Sequence, residues 1–463
     1  MRDLSELAKI ITDSSRVIFG SDIPQKFLSD TLGRKKGKAG ALVYIQSTEE
    51  ASRVLAYADK NAIPVTPRGA GTNLVGSTVP AEGGIILDFS RMNRILEIDE
   101  ENLTAWVEPG ILLCDFQKYV ESIGLFYPPD PGEKKASIGG NIATNAGGMR
   151  AVKYGVTRNY VMGLELVLAD GTVVTVGGKS RKDTTGLDLK DIVIGSEGTL
   201  AVITKCLLKL IAKPEYSQSV LVSFDSLKSG IETVPKLLKA SLNPTALEFI
   251  ERNVIKLGES FLKLAFPLDD YEACLLLTFD GTEKEVKDSI KKLEGVIETN
   301  NKDGKGKSRI LSLDDFETST NVWKIRGCLV QAVEAVSEQE PLDIVVPIAK
   351  VADFVEYVNS LEAESNVQMI SFGHAGDGNV HLCVVRGKRG EQEWDRDLHN
   401  VLSHLYAKAH ELGGLISGEH GLGISKRAYF FTLEDNAKIS VMNAVKHAFD
   451  KNRILNPHIS YCK

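Results

Sequence analysis

PPDPGEKKASIGGNIATNAGGMRAVKYGVTRNYVMG, residues 128–163, is the stretch on which the fold turns. Ser137, Gly139, Gly140, Asn141, Thr144, Asn145, Gly147 and Gly148 crowd into twelve residues of it. Ordinary helices and strands do not tolerate that density, because each glycine costs ordering entropy; the backbone is predicted to wrap a ligand that needs many amide contacts. Two more glycine loops lie on either side of it. PVTPRGAGTNLVGSTVP (64–80) places Gly69, Gly71 and Gly76 directly after a β-type run with Arg68 beside them, and DIVIGSEGTLAVIT (191–204) sets Gly195, Ser196, Glu197, Gly198 and Thr199 between two apolar β-type runs. Small residues let backbone N–H groups approach an anion, and a pyrophosphate is the common client. The GxGxxxxG spacing of the first loop is neither the dinucleotide fingerprint nor a P-loop, so a standard Rossmann reading fails; alone, the segment also reads as a tight turn. Three such loops together point to one large polar cofactor.

Outward from these loops, short β-type runs alternate with helical stretches: ALVYIQ, a helix over 48–61, IPVTPRG, GGIILDFS, LTAWVEPG, a helix over 112–123, and VMGLELVLADGTVVTVGG paired about the turn 169–172. After a linker at 212–216 containing Pro214 come SVLVSF, a helix over 227–240, a helix-like segment over 248–264, EACLLLTFDG, a charged helix over 283–298, LDIVVP, a helix over 349–362, VQMISFGHAGDGNVHLCVV and a helix over 391–412. A last amphipathic helix over 434–452 runs into the breaker Asn456-Pro457. Both halves read as α+β, and 463 residues exceed one compact core.

With 43% apolar and 25% charged residues, a folded protein is expected. A net charge of −7 argues against a nucleic-acid partner; the lysine-rich stretches at 34–38 and 302–307 read as solvated loops. No spanning segment or secretory signal is visible, and a cytoplasmic location is expected. Six scattered cysteines without a CxxC pair fit reduced thiols, so any iron–sulfur partner would be another chain.

Near the far end stand GHAGDGNVH (373–381), with His374 and His381, and SGEHGLG (417–423), with Glu419 and His420. Two imidazoles and a carboxylate supply the mixed donors that a borderline divalent ion prefers, and the adjacent His420 is left as a candidate base. Polar turn residues in glycine-rich loops are the alternative. Alternation in NVHLCVV puts His381 and Cys383 on one strand face, with His374 expected in the preceding loop; Asp377 and Asn379 could orient the ligands.

The strings PRGAGTN, ASIGGNIATNAGG, KYGVTRNYVMGLELVLADG, GSEGTLAVITK, GHAGDGNVH and SGEHGLG, in that order, resemble the FAD-linked D-2-hydroxyacid dehydrogenases of the vanillyl-alcohol-oxidase flavoprotein superfamily, which include D-lactate dehydrogenases, the glycolate oxidase flavin subunit and D-2-hydroxyglutarate dehydrogenases. The resemblance covers residues 40 to 457. It implies an α+β fold with a two-subdomain FAD-binding domain (1–213), a cap domain with an antiparallel sheet carrying substrate and metal residues (214–425), and a carboxy-terminal segment (426–463) returning to the FAD domain. The implied FAD contacts are Arg68, Gly69, Ala70, Gly71, Thr72, Asn73, Gly76 and Ser77, then Pro129, Asp130, Ser137, Gly140, Asn141, Thr144, Ala146 and Gly147, and Ile203. Some relatives attach flavin through a histidine in the first loop; Ala70, Gly71 and Thr72 stand there, so non-covalent FAD is expected.

The resemblance further implies one divalent metal ion (Zn, Fe or Mn) on His374, His381 and Glu419, His420 as base, and Arg326 in NVWKIRGCLVQAV as the clamp for the substrate carboxylate; a surface arginine on an amphipathic helix is the alternative for Arg326. Oxidation of a 2-hydroxy acid removes a hydroxyl proton and moves a hydride to flavin N5, and a metal on the hydroxyl oxygen lowers that barrier. Dicarboxylate-specific relatives add a lysine in a KYD-like stretch and an asparagine two residues past the second histidine; this chain has EPLDIVVP (340–347) and Cys383 there. That favours D-lactate or glycolate over D-2-hydroxyglutarate, with electrons passed to a protein acceptor such as electron-transfer flavoprotein or an iron–sulfur subunit. The competing classes are a flavin electron-transfer subunit without substrate chemistry, against which the retained histidines speak, and a hydrolytic or phosphotransferase metal site, for which no GxxxxGK[ST] sequence is present.

Overall fold

The computed structural model describes residues 4–302 and 307–459. Cys462 and most of the lysine-rich stretch 302–307 lie outside the described residues. The chain divides into two compact units: unit 1 is Met1–Gly147, Val156–Lys213 and Glu419–Lys463, and unit 2 is Gly148–Gly155 and Pro214–Gly418.

Unit 1 holds two main sheets. The first has β1 (Val17–Phe19), β2 (Ala41–Tyr44), β3 (Val65–Arg68) and β4 (Ile85–Asp88) in the order β1-β2-β4-β3; β2 and β3 both run parallel to β4, while β1 is antiparallel to β2. The second is antiparallel, with β5 (Ile95–Asp99), β6 (Thr104–Val107), β8 (Val161–Val167), β9 (Val173–Gly177) and β10 (Val202–Lys209) in the order β5-β6-β10-β8-β9. β7 (Leu125–Phe126) and β11 (Ile211–Ala212) form a short ribbon. The helix Thr48–Lys60 starts where the Ser47 hydroxyl accepts from the Glu50 amide, and it buries Ala51, Val54, Leu55 and Ala58, the three-and-four spacing of one helix face. Those side chains join Val43, Val65, Leu87, Val167 and Leu455 in the core, so the carboxy-terminal segment packs with the amino-terminal strands.

The β8–β9 pair confirms the expected hairpin. Its turn needs Gly171, whose φ is +87° and whose position would bring a Cβ to 2.5 Å from the Ser52 carbonyl oxygen. The third glycine loop departs from expectation. Leu189–Val193 is a short helix, capped by the Asp188 side chain accepting from the Asp191 amide, so DIVIG does not enter the loop as a strand.

Unit 2 is built on a seven-stranded antiparallel sheet: β12 (Tyr216–Phe224), β13 (Ala246–Glu251), β14 (Ala273–Gly281), β15 (Ser308–Leu313), β16 (Gln339–Val345), β17 (Met369–His374) and β18 (Asn379–Val385), in the order β15-β12-β14-β13-β17-β18-β16. Ile250, Ile370, Phe372, Cys383 and Val385 share one core with Val254 and Ile255 of helix Arg252–Leu262, Val322 and Ile325 of helix Phe316–Gly327, and Leu329 and Val333 of helix Leu329–Glu334.

Three expectations are corrected. The segment expected as helix from residue 248 begins as β13, because Leu247, Phe249 and Ile250 are buried in the sheet before the helix starts at Arg252. Unit 2 closes at Gly418 rather than 425, since the Glu197 carboxylate holds the Leu422 and Gly423 amides within unit 1. Residues 148–155 belong to unit 2, where half-buried Asp280 accepts from the Lys153 ammonium and the Tyr154 hydroxyl.

Candidate functional site

In unit 2 the chemistry gathers at one end of an otherwise apolar sheet face. Strand alternation puts Ile370, Phe372 and His374 on one face of β17, Val385, Cys383 and His381 on the matching face of β18, and Ile250 and Glu248 on that of β13. Phe372 lies opposite His381 and Glu248 opposite His374 in the strand register. His374 is therefore the last residue of β17, not a loop residue as expected, and it is 6% exposed.

The His374 Nδ1–H donates to Glu248 Oε1 at 2.7 Å, since an ionised carboxylate only accepts. In the neutral ring Nε2 then carries the lone pair, and it lies 3.2 Å from His381 Nε2. Two nitrogens bound to one tetrahedral zinc at ordinary Zn–N lengths are separated by about 3.3 Å, so the donor pair fits such an ion. Asn379 also acts at one remove: its amide donates to Asp343 at 2.7 Å, and Asp343, fully buried opposite His381, accepts from Ser417 Oγ and the Gly418 amide. A Cβ on Gly418 would lie 2.3 Å from Asn379 Nδ2, so only glycine passes there. Glu419 is the next residue, joined to that point by its peptide bond. Asp377 occupies the hairpin tip, where its carboxylate accepts from the Asn379 amide, a turn role.

Arg326 is not a surface residue. Only 8% exposed, it donates from Nε and Nη2 to Glu248 Oε2 at 2.9 and 2.5 Å, with its guanidinium 5.1 Å from the Phe372 ring centre. Burial pushes the Glu248 carboxyl up, but His374 and Arg326 outweigh it and hold it below the usual carboxylate range. Glu248 and Asp343 escaped sequence reading. The signal for Glu248 was a lone acid inside the apolar run ALEFI just after Pro244, the mark of a short buried strand.

In unit 1 the glycine loops interlock. Ser137 caps the helix Ile138–Thr144, its hydroxyl accepting from the Gly140 amide at 3.3 Å and from the Ala70 amide at 3.2 Å. A Cβ on Gly69 would stand 2.1 Å from that hydroxyl. Thr72 follows Gly71, whose φ is +74°. The Asn73 side chain accepts from the Val75 and Ser77 amides and donates to the His420 carbonyl at 3.2 Å. Ser77 Oγ donates to buried Glu197, and Gly76 has φ +82°. Arg68 braces the loop from beneath, donating to Thr78 Oγ1 and the Lys26 carbonyl. Pro129 accepts from Gln117, Asp130 from Lys134, and Thr144 Oγ1 donates to the Gly140 carbonyl. Ala146 accepts from Thr157 Oγ1, while a Cβ on Gly147 would stand 3.1 Å from Glu419 Oε2. Ile203 lies on β10 beside Leu166 of β8. The Asn141 side-chain amide nitrogen is buried with no hydrogen-bond partner among the described residues, a donor that a bound nucleotide would satisfy.

Among the described residues no helix is long and apolar enough to cross a membrane. Residues 39–177 match the FAD binding domain family and residues 213–459 match the family of FAD linked oxidases, C-terminal domain. The chain is 41% identical over 451 residues to a D-lactate dehydrogenase of Anaerostipes hadrus, covering 96% of this chain and 94% of that one. It is 39% identical to the glycolate oxidase subunit GlcD of Bacillus subtilis, covering 91% of this chain and 89% of that one. Among solved structures, p-cresol methylhydroxylase superposes with a TM-score of 0.79 at 18% identity, over 99% of this chain and 96% of that chain, a likeness of fold. The chain therefore belongs to the FAD-linked oxidases and is an FAD-dependent oxidoreductase.

Proposed function

We propose that this chain oxidises a short D-2-hydroxy acid, D-lactate or glycolate, to the 2-oxo acid. The observation that carries the reading is the His374–His381 pair, its facing nitrogens at a spacing that fits a shared divalent cation, with one imidazole buttressed by a buried carboxylate. When bound, FAD supplies a hydride acceptor and the cation a Lewis acid for the substrate hydroxyl. His374, His381 and Glu419 would hold the cation, and the loops around Gly69–Ser77 and Ser137–Gly147 would hold the FAD without a covalent link. Arg326 binds the substrate carboxylate, a guanidinium being suited to a planar anion. His420 takes the hydroxyl proton. Its backbone is held by Asn73, so the imidazole is presented from an anchored turn.

The EPLDIVVP stretch (340–347), where dicarboxylate-specific relatives are expected to carry a lysine, contains no lysine or arginine, and Cys383, where they are expected to carry an asparagine, is 1% exposed on β18 opposite Pro341 of β16. Neither offers a cation to a second carboxylate, which supports the monocarboxylate reading. The electrons are proposed to leave for a separate protein such as electron-transfer flavoprotein. Anaerobic stopped-flow tests the reading: flavin bleaching is expected with D-lactate or glycolate, more slowly with D-2-hydroxyglutarate, and not after a chelator has removed the cation. Bleaching by D-2-hydroxyglutarate alone would move the substrate to the dicarboxylates, and undiminished bleaching after chelation would remove the cation from the reaction.

A further inference from the structure

One carboxylate in unit 2 serves two different parts of the proposed chemistry. Glu248 is 0% exposed; Oε1 accepts from His374 Nδ1 and Oε2 accepts from both Nε and Nη2 of Arg326. The two clients come from distant parts of the chain, 126 residues away on β17 and 78 residues away on the helix Phe316–Gly327. A buried ion pair is costly unless its remaining donors and acceptors are satisfied, and here three donors converge on two oxygens.

We propose that Glu248 is a positioning residue that sets the metal-ligand histidine and the substrate-binding arginine together, so that cation affinity and substrate carboxylate affinity are coupled through one side chain. The inference rests on the hydroxyacid reading above. Two physical steps carry it. Holding the proton on His374 Nδ1 leaves the Nε2 lone pair facing His381, the tautomer a cation needs. Tying up the Nε and Nη2 edge of Arg326 stops the guanidinium from turning and leaves Nη1 as the donor free of Glu248 for an incoming carboxylate. The ring of Phe372 under the guanidinium limits the remaining freedom.

Glutamine in place of Glu248 is the informative change, because its amide has one accepting atom and one donating atom. It cannot accept from His374 and Arg326 at once: either the imidazole loses its acceptor and its tautomer is released, or the guanidinium faces an N–H donor. The experiment uses the FAD-loaded full chain as wild type, Glu248→Gln and Glu248→Asp, with retained flavin absorbance as the check on folding. Three quantities are read. The first is the His374 tautomer, by 15N chemical shifts of histidine-labelled, metal-stripped protein. The second is the affinity of that protein for added Zn2+ or Mn2+ by calorimetry. The third is KM against kcat for D-lactate. In Glu248→Gln the single Nδ1–H tautomer is expected to become a mixture, Zn2+ affinity to fall about 10- to 100-fold, and KM to rise more than kcat falls. Glu248→Asp keeps the charge with a shorter reach and is expected to recover part of each. A Glu248→Gln protein with wild-type tautomer, Zn2+ affinity and KM, altered only in thermal stability, would overturn the proposal and leave Glu248 a core carboxylate. Failure of the underlying reading looks different: the wild type itself would then neither bind Zn2+ or Mn2+ nor be bleached by D-lactate, while its His374 tautomer, still held by Glu248 and released in Glu248→Gln, would uphold the positioning role.

Discussion

At the scale of single residues, the proposed base gives the sharpest expectation. His420→Ala removes an imidazole whose backbone is anchored through its own carbonyl by Asn73, so the loop is expected to stay in place and FAD to stay bound. Flavin reduction by D-lactate is expected to slow about 10²- to 10⁴-fold, the usual worth of a positioned base. Anaerobic stopped-flow reads this directly, and a wild-type rate in the variant would take His420 out of the proton transfer. His374, His381, Glu419 and His420 were legible as a set because histidine is scarce here, eight in 463 residues, and glycine surrounds these. Arg326 was legible as a clamp only through the resemblance. The signal for Glu248, a lone acid in the apolar run ALEFI, is drowned out: a strand six residues long running straight into a helix blurs period two into period 3.6, and its acid then reads as a solvated helix residue.

At the scale of elements, the turn that carries His420 is held by a second buried acid. Glu197 sits at φ +52°, and its carboxylate accepts from Ser77 Oγ and from the Leu422 and Gly423 amides. Burial raises its carboxyl above the usual range, against the pull of those donors. Gly421 passes so close that a Cβ there would lie 2.8 Å from the carboxylate, and its own φ is +84°. Gly421→Ala is therefore expected to cost about 1–3 kcal/mol, from left-handed strain and the displaced acid together. It should slow flavin reduction more than it weakens FAD binding, since the His420 turn shifts while the Gly69–Ser77 loop keeps its other bonds. Thermal unfolding paired with stopped-flow checks this; unchanged stability and rate would show that the turn tolerates a side chain. The three glycine loops were readable because their composition forbids regular structure, yet their mutual bracing was not. Ser137 reaching the Ala70 amide and Glu197 reaching Leu422 join residues 67 and 225 positions apart, and no local pattern encodes such pairs.

At the scale of the molecule, unit 1 closes by pairing its last segment with its first: Leu455 bridges Val65, Asn456 donates to the Ser77 and Glu197 carbonyls, and buried Lys446 donates to the Thr199 and Leu455 carbonyls and to Asp450. The alternation of elements announced an α+β chain, whereas the last helix stops at Phe449, ahead of the breaker expected to end it at Pro457; that the tail completes the unit was expected from the resemblance alone. This closure makes stability depend on pH through His458, the residue after that proline. Burial lowers its imidazole from an ordinary 6.5 to about 4, helped by Arg427 and opposed by a hydrogen bond with the Gly76 backbone. The unfolded chain takes up a proton as pH falls through 6.5, whereas the folded chain does so only near 4. Stability from this group is therefore complete above 6.5 and is lost progressively down to about 4, a loss on the order of 3 kcal/mol at full extent. Unfolding of unit 1 can be followed by the fluorescence of released FAD. The wild-type midpoint is expected to fall by several degrees more between pH 7 and 4.5 than that of His458→Gln, whose amide carries no titrating proton. Parallel curves for the two proteins would assign the acid sensitivity elsewhere, and a variant that lost FAD at pH 7 would show instead that the imidazole ring holds the Gly76 loop in place whatever its charge.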